Sequence, residues 1–166
     1  MSKQEIKHSE DNQTNVTCSK PYNTGMLMGV FDLFHIGHLN LIRKAKEQCC
    51  FLRICVLSDE LVHEFKQIYP TIPQDERMEI LRALRDVDEV VLLETKNEVS
   101  RLNEWKKRPF DCFFSGDDNA DNKYWIWEKE ELKKIGVEVV LFPYTKKRSS
   151  SMIRKELEKK GNLKRQ

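Results

Sequence analysis

The sequence predicts an α/β protein, a doubly wound sheet of five parallel strands with helices on both faces, and three observations carry that prediction. Short apolar runs alternate with helix-length amphipathic segments along the chain. The clearest run, Phe51 to Leu57, is almost continuously apolar, as a parallel strand covered on both faces is. Each run is joined to the next through a helical segment, and right-handed crossovers then place helices on both sides of the sheet. No internal repeat is visible.

Residues 1–24 are polar, mix both charges and lack apolar periodicity, which predicts a loosely held arm ahead of one domain over 25–160. The first strand is expected at Met26 to Phe31, followed by a helix from Gly37 to Gln48 with Leu41, Ile42 and Ala45 on its core stripe. After the second strand, Glu60 to Pro73 reads as an irregular stretch containing two prolines. A helix from Gln74 to Arg85 and a strand from Val87 to Leu93 follow. Next come a helix around Glu98 to Lys106, stopped by Pro109, and a strand from Phe110 to Ser115. A helix carrying Trp125, Trp127 and Leu132 ends at Gly136, whose lack of a side chain suits a left-handed cap. Val137 to Phe142 is the fifth strand. A loop over Pro143 to Arg148 leads to a last helix, Ser149 to Lys159, and residues 161–166 form a basic tail.

Charged residues make up 34% of the 166, yet 29 Lys and Arg against 27 Asp and Glu leave a net charge of +2. Global charge therefore gives no case for nucleic acid. No apolar run approaches the roughly 20 residues of a membrane span, and the N-terminus lacks an apolar signal core, so a cytoplasmic protein is expected. Five cysteines, an odd number without CxxC spacing, argue against both a disulfide framework and a zinc site.

The functional signal is GVFDLFHIGH, Gly29 to His38, lying between the first strand and its helix. A helix N-terminus presents unpaired N–H groups and a partial positive charge, and Gly37 in its first turn admits close approach of a phosphate. His35 and His38, three residues apart, face the same side and can each donate to one phosphate chain. This stretch, with LNLIRKAKE after it, resembles the HxGH nucleotidyltransferases, and among them the cytidylyltransferases of glycerol 3-phosphate, phosphocholine and phosphoethanolamine. The likeness runs from about Met26 to Leu157.

The resemblance implies a Rossmann-like sheet of order 3-2-1-4-5, with CTP lying across the switch point beside strand 1. It implies transfer of CMP to a phosphoalcohol, glycerol 3-phosphate before other acceptors, with magnesium accompanying the triphosphate and a homodimer as the working unit. ATP users share the HxGH motif, so an adenylyltransferase is the alternative; a non-catalytic nucleotide-binding module is the remaining one. The same resemblance assigns catalysis to His35, His38, Lys66 and Arg85. Gly29, Val30, Phe31, Asp32 and Gly37 would line the nucleotide, as would Gly116, Asp117 and Asp118 at the end of strand 4. Ser149, Ser150 and Ser151, at the head of the last helix, fall on the family's phosphate-holding hydroxyls. Arg77, Tyr144 and Arg148 would meet the substrate.

Several of these residues read two ways. Lys66 is a phosphate-following point charge or a solvated loop lysine, and Arg77 a substrate ligand or half of an ion pair. Asp32 orients a histidine, a lysine or a metal-bound water, or it caps a helix. Asn119 and Tyr144 stand where the family has tryptophan and arginine, which separates this chain from the glycerol-3-phosphate pattern at the acceptor end.

Overall fold

The computed structural model describes residues 18–117, 123–143 and 149–163, so Asp118, Asn119, Tyr144 and Arg148 lie outside the described residues. Five strands form one parallel sheet: β1 (Tyr22–Gly29), β2 (Cys49–Leu57), β3 (Glu89–Leu93), β4 (Cys112–Gly116) and β5 (Glu138–Phe142). Their order is β3-β2-β1-β4-β5, with β1 central and paired to β2 from Tyr22↔Cys49 to Gly29↔Val56. The sequence reading of a doubly wound sheet of order 3-2-1-4-5 holds.

Alternation along the strands builds two cores. Leu27, Leu52, Ile54, Val56, Cys112 and Phe114 point to one face, where helices α1 (Ile36–Gln48) and α3 (Gln74–Arg82) cover them with Ile42, Ala45, Met78 and Leu81. Met26, Cys55, Leu57 and Phe113 point to the other. That face is covered by α2 (Asp59–Lys66), α5 (Arg101–Lys107) and α6 (Lys123–Lys134), through Leu61, Val62, Trp105, Trp125 and Leu132. A short α4 (Lys96–Val99) precedes α5, and α7 (Ser150–Leu163) ends the described chain. At the centre of β1, Gly25 is required by space: a Cβ there would lie 2.4 Å from the Phe114 ring and 2.7 Å from the Cys49 sulfur.

Several boundaries, and one covalent link, differ from the sequence reading. β1 starts at Tyr22, within the segment read as an arm, and ends at Gly29, leaving Val30 and Phe31 to the turn. Glu60 to Pro73 is not wholly irregular. Ser58 caps α2 by accepting from the Leu61 N–H at 3.2 Å, acidic Asp59 and Glu60 occupy its first turn, and Leu61 and Val62 are buried. α7 runs on through Gly161. Finally, Cys18 and Cys50 form a disulfide, while Cys49, Cys55 and Cys112 are free and buried. Parity of the cysteine count could not reveal that bond, because it depends on β1 and β2 running side by side from Tyr22 and Cys49 onward.

Candidate active site

Beyond Gly29 the backbone makes a tight turn in which Phe31 and Leu33 adopt positive φ, 55° and 48°. Bulky residues there are uncommon, and such strain persists where surrounding contacts over-determine it. The contacts come from Asp32, which is 2% exposed. Its carboxylate accepts from Leu33 N at 2.9 Å, Ile72 N at 2.9 Å and Thr71 N at 3.0 Å, and it pairs with Arg154. Burial pushes this carboxyl upward, but the Thr71 and Ile72 amides and Arg154 outweigh it and hold it below the usual carboxylate range. The backbone carbonyl of Asp32 also accepts from the Ser150 hydroxyl at 2.7 Å. One residue thus ties the end of β1 to the segment before α3 and to the head of α7.

His35 follows as the N-cap of α1, its Nδ1 accepting from the Gly37 N–H at 3.0 Å. In the neutral ring that bond places the proton on Nε2, which leaves a donor for a ligand. His38 stacks on it, ring centroids 3.9 Å apart and planes at 23°. Phe31 and Phe34 flank His38 at 5.3 and 5.6 Å. His38 Nδ1 is buried without a hydrogen-bond partner, a capacity an ordinary interior histidine would have filled. Burial, with the neighbouring His35, pulls the His38 pKa down to about 4; burial also lowers that of His35. Both rings are therefore neutral donors at neutral pH, and an approaching anion would favour their protonated forms.

The last helix contributes a second N-terminus. Ser149 accepts from Met152 N at 3.2 Å and caps α7, Ser150 is bonded to Asp32, and Ser151 is exposed. Gly116 ends β4, the strand beside β1, and Asp117 follows it. Those of the residues expected around a nucleotide that are described therefore lie about the C-terminal ends of β1 and β4, where open α/β sheets bind ligands.

Arg77 takes the second of its two readings, an ion pair with Asp59, and Arg85 departs from its expected role. Arg77 is 1% exposed and its guanidinium donates to the carbonyls of Ile72, Val30 and Leu57 and to Asp59, so it braces the turn from within and has no face for a substrate phosphate. Arg85 is exposed beside Asp86 at the opposite end of the sheet, in a cavity with Lys20, Arg43 and Lys46, near where β2 begins. Within this chain it does not meet His35 and His38, because the turn after α3 leads back to the start of β3. Lys66 is the exposed last residue of α2, a helix end rather than a mobile loop. Asp32 itself, expected at the nucleotide, has its carboxylate filled by protein donors. Arg154 was not singled out by the sequence; the available signal was its place four residues after Ser150, on one face of α7.

Among the described residues no cluster of three or more His, Cys, Asp or Glu side chains could hold a metal, and no helix is long and apolar enough to cross a membrane.

Residues 26–156 match the model of the cytidylyltransferase-like family. An FAD synthase of Pyrococcus abyssi is 40% identical over 118 residues, covering 70% of this chain and 77% of the relative. A second FAD synthase, from Thermococcus sibiricus, is 37% identical over 140 residues, 78% of this chain and 89% of that one. Bifunctional protein HldE of Streptomyces coelicolor is 36% identical over 126 residues, 75% of this chain but 26% of its own. Among solved structures, a lipopolysaccharide core biosynthesis protein from Thermoplasma volcanium superposes with a TM-score of 0.60 at 20% identity, covering 75% of this chain and 97% of that one, which speaks to the fold. A family match over most of the length, on a chain whose stacked histidines head the first helix, means that this protein belongs to the cytidylyltransferase-like nucleotidyltransferases.

Proposed function

We propose that the protein transfers a nucleoside monophosphate from a triphosphate to the phosphate of a small acceptor, and that ATP and FMN are its pair. The observation that carries nucleotidyl transfer is the His35 and His38 stack at the head of α1, with one ring's Nε2 proton set by its cap bond and the other ring's Nδ1 unpartnered. The choice of pair draws on the two relatives named FAD synthase, since FAD is FMN joined to AMP through a pyrophosphate bridge.

In this reading an FMN phosphate oxygen attacks the α-phosphorus of ATP, the bond from that phosphorus to the bridging oxygen breaks, and pyrophosphate leaves with the electron pair. The acceptor phosphate is already a nucleophile, so no covalent enzyme intermediate is needed. What the chain supplies is alignment and donors for developing negative charge. His35 and His38 hold the triphosphate, the N-termini of α1 and α7 add backbone N–H groups, and Gly29, Val30, Phe31, Gly37 and Gly116 let backbone approach the nucleotide. Ser149, Ser151 and Asp117 line its far side, and Lys66 reaches phosphate from α2. Arg77 and Asp32 keep these parts in register. Magnesium would travel on the triphosphate oxygens and neutralise charge there, which requires few protein ligands. A cytoplasmic homodimer belongs to the same reading, the exposed Tyr124, Ile126 and Trp127 of α6 being suited to a second copy.

The second reading keeps CTP and glycerol 3-phosphate, and Gly116 with Asp117 after β4 favours it by resemblance. Pyrophosphate release with magnesium decides, with ATP and CTP each offered FMN, glycerol 3-phosphate, phosphocholine and phosphoethanolamine. Release with ATP and FMN alone is expected; release with CTP and a phosphoalcohol would replace it.

A further inference from the structure

The crossover after β2 carries a strip of exposed apolar side chains: Phe65 is 50% exposed, Ile68 46% and Tyr69 60%. Such side chains in succession, away from any core cluster, ask for a ligand or partner. Tyr69 is also ordered in a particular way. Its ring stacks on His63 with centroids 4.3 Å apart and planes at 15°, so a flat face is backed by a second ring. Pro70 and Pro73 limit the backbone that follows. Thr71 and Ile72 donate to Asp32, and Arg77 holds the Ile72 carbonyl at 3.0 Å. The stacked pair is thereby fixed relative to the turn that presents His35 and His38, through two residues of chain and one carboxylate.

Its place in the sheet says which ligand it faces. α2 follows β2 on one side of the central strand, while β4 and β5 lie on the other, and the head of α7 meets the turn between them through Ser150 and Arg154. A nucleotide that takes the β4 side leaves the β2 side to the acceptor. Lys66, three residues after His63 on α2, puts a cation beside the same strip.

Resting on the reading above that FMN is the acceptor, we propose that Tyr69, backed by His63, is the platform on which the isoalloxazine ring stacks while the ribityl chain carries the phosphate toward His35 and His38. An aromatic face suits this ring and offers nothing comparable to glycerol 3-phosphate, which makes Tyr69 a specificity-determining residue.

The test uses the full chain, with FMN as the probe. Flavin fluorescence is quenched on stacking against tyrosine, so titrating protein into FMN reports the contact without turnover. Wild-type protein is expected to quench, Tyr69→Leu to lose the quench, and Tyr69→Phe to retain it. In steady-state assays Tyr69→Leu raises the KM for FMN about 10-fold, from the loss of one ring stack, and leaves the KM for ATP unchanged. If wild-type protein makes FAD and Tyr69→Leu keeps both the quench and the KM, the platform is refuted and the FMN reading stands. If wild-type protein neither binds FMN nor makes FAD, both fall together. A Tyr69→Leu variant that raises the KM of both substrates equally also overturns the proposal, since a general disturbance would do that.

Discussion

Two polar centres lie side by side at the turn after β1 and are built in opposite ways. Around Asp32 and Arg77, every strong donor has an acceptor inside the chain: four donors on one carboxylate, and three carbonyls with a carboxylate on one guanidinium. At His35 and His38, hydrogen-bonding capacity is left over and burial keeps the rings neutral. A filled network fixes geometry and has nothing to offer a ligand. An unfilled one costs stability and is ready to accept charge. The difference separates the residues that shape the site from those proposed to act in it.

The largest effect expected from breaking this contrast is on the filled side. Arg77→Met leaves Asp59 and the carbonyls of Val30, Leu57 and Ile72 without their buried partner, and about 3–5 kcal/mol of stability should go with it. Urea denaturation measures the loss; a change under about 1 kcal/mol would mean that water reaches the turn and that Arg77 is not its brace. On the unfilled side the signature inverts. His38→Ala is expected to keep or gain stability while slowing turnover about 100- to 1,000-fold, the scale of one lost donor to developing charge. Rapid turnover by this variant would move the chemistry away from the stack.

The same contrast shows where the sequence was legible. β1 and α1 follow from local patterns, because apolar runs and helix periodicity are local signals, whereas the order of the sheet came from the family resemblance alone. The HxGH pair was also legible, since a strand, a glycine and a helix start are all written in one stretch. Asp32 was not: its partners Thr71, Ile72 and Arg154 come from segments far along the chain, and only the fold brings them together. Arg85 misled for the converse reason. Helical spacing relates it to Arg77, but α3 ends at Arg82 and the chain has turned by the time it arrives. The capped start of α2 was present at Ser58, Asp59 and Glu60 and was hidden by the two prolines further on.

A middle-sized effect sharpens the contrast through pH. In the unfolded chain an imidazole takes its proton near 6.5, whereas folded His38 does so only near 4. Between those values the unfolded state binds more protons, so the stability tied to neutral His38 is complete above about 6.5 and declines as pH falls toward 4. The decline is at most about 3 kcal/mol for this ring. His38→Ala should flatten the acid side of a stability profile. A bound triphosphate reverses the sign, because it stabilises the protonated ring, so nucleotide affinity is expected to rise as pH falls from 8 to about 6. An affinity that is flat over this range would show that neither ring changes protonation on binding.

The smallest effect distinguishes three adjacent hydroxyls at the head of α7. Ser150 donates to the Asp32 carbonyl, Ser149 caps the helix, and Ser151 is exposed. If capacity decides role, the Ser150 hydroxyl belongs with the filled centre and Ser151 with the open one. Ser150→Ala is then expected to cost about 1 kcal/mol of stability, the net value of one hydrogen bond. Ser151→Ala should leave stability within about 0.5 kcal/mol of wild type, as exposed substitutions do, and weaken nucleotide binding instead. Denaturation midpoints and nucleotide titrations on the two variants separate the outcomes. Should Ser151→Ala bind nucleotide as wild type does while Ser150→Ala does not, the hydroxyl held by Asp32 would be the one that turns to the ligand, and Asp32 would be a latch rather than a fixed brace.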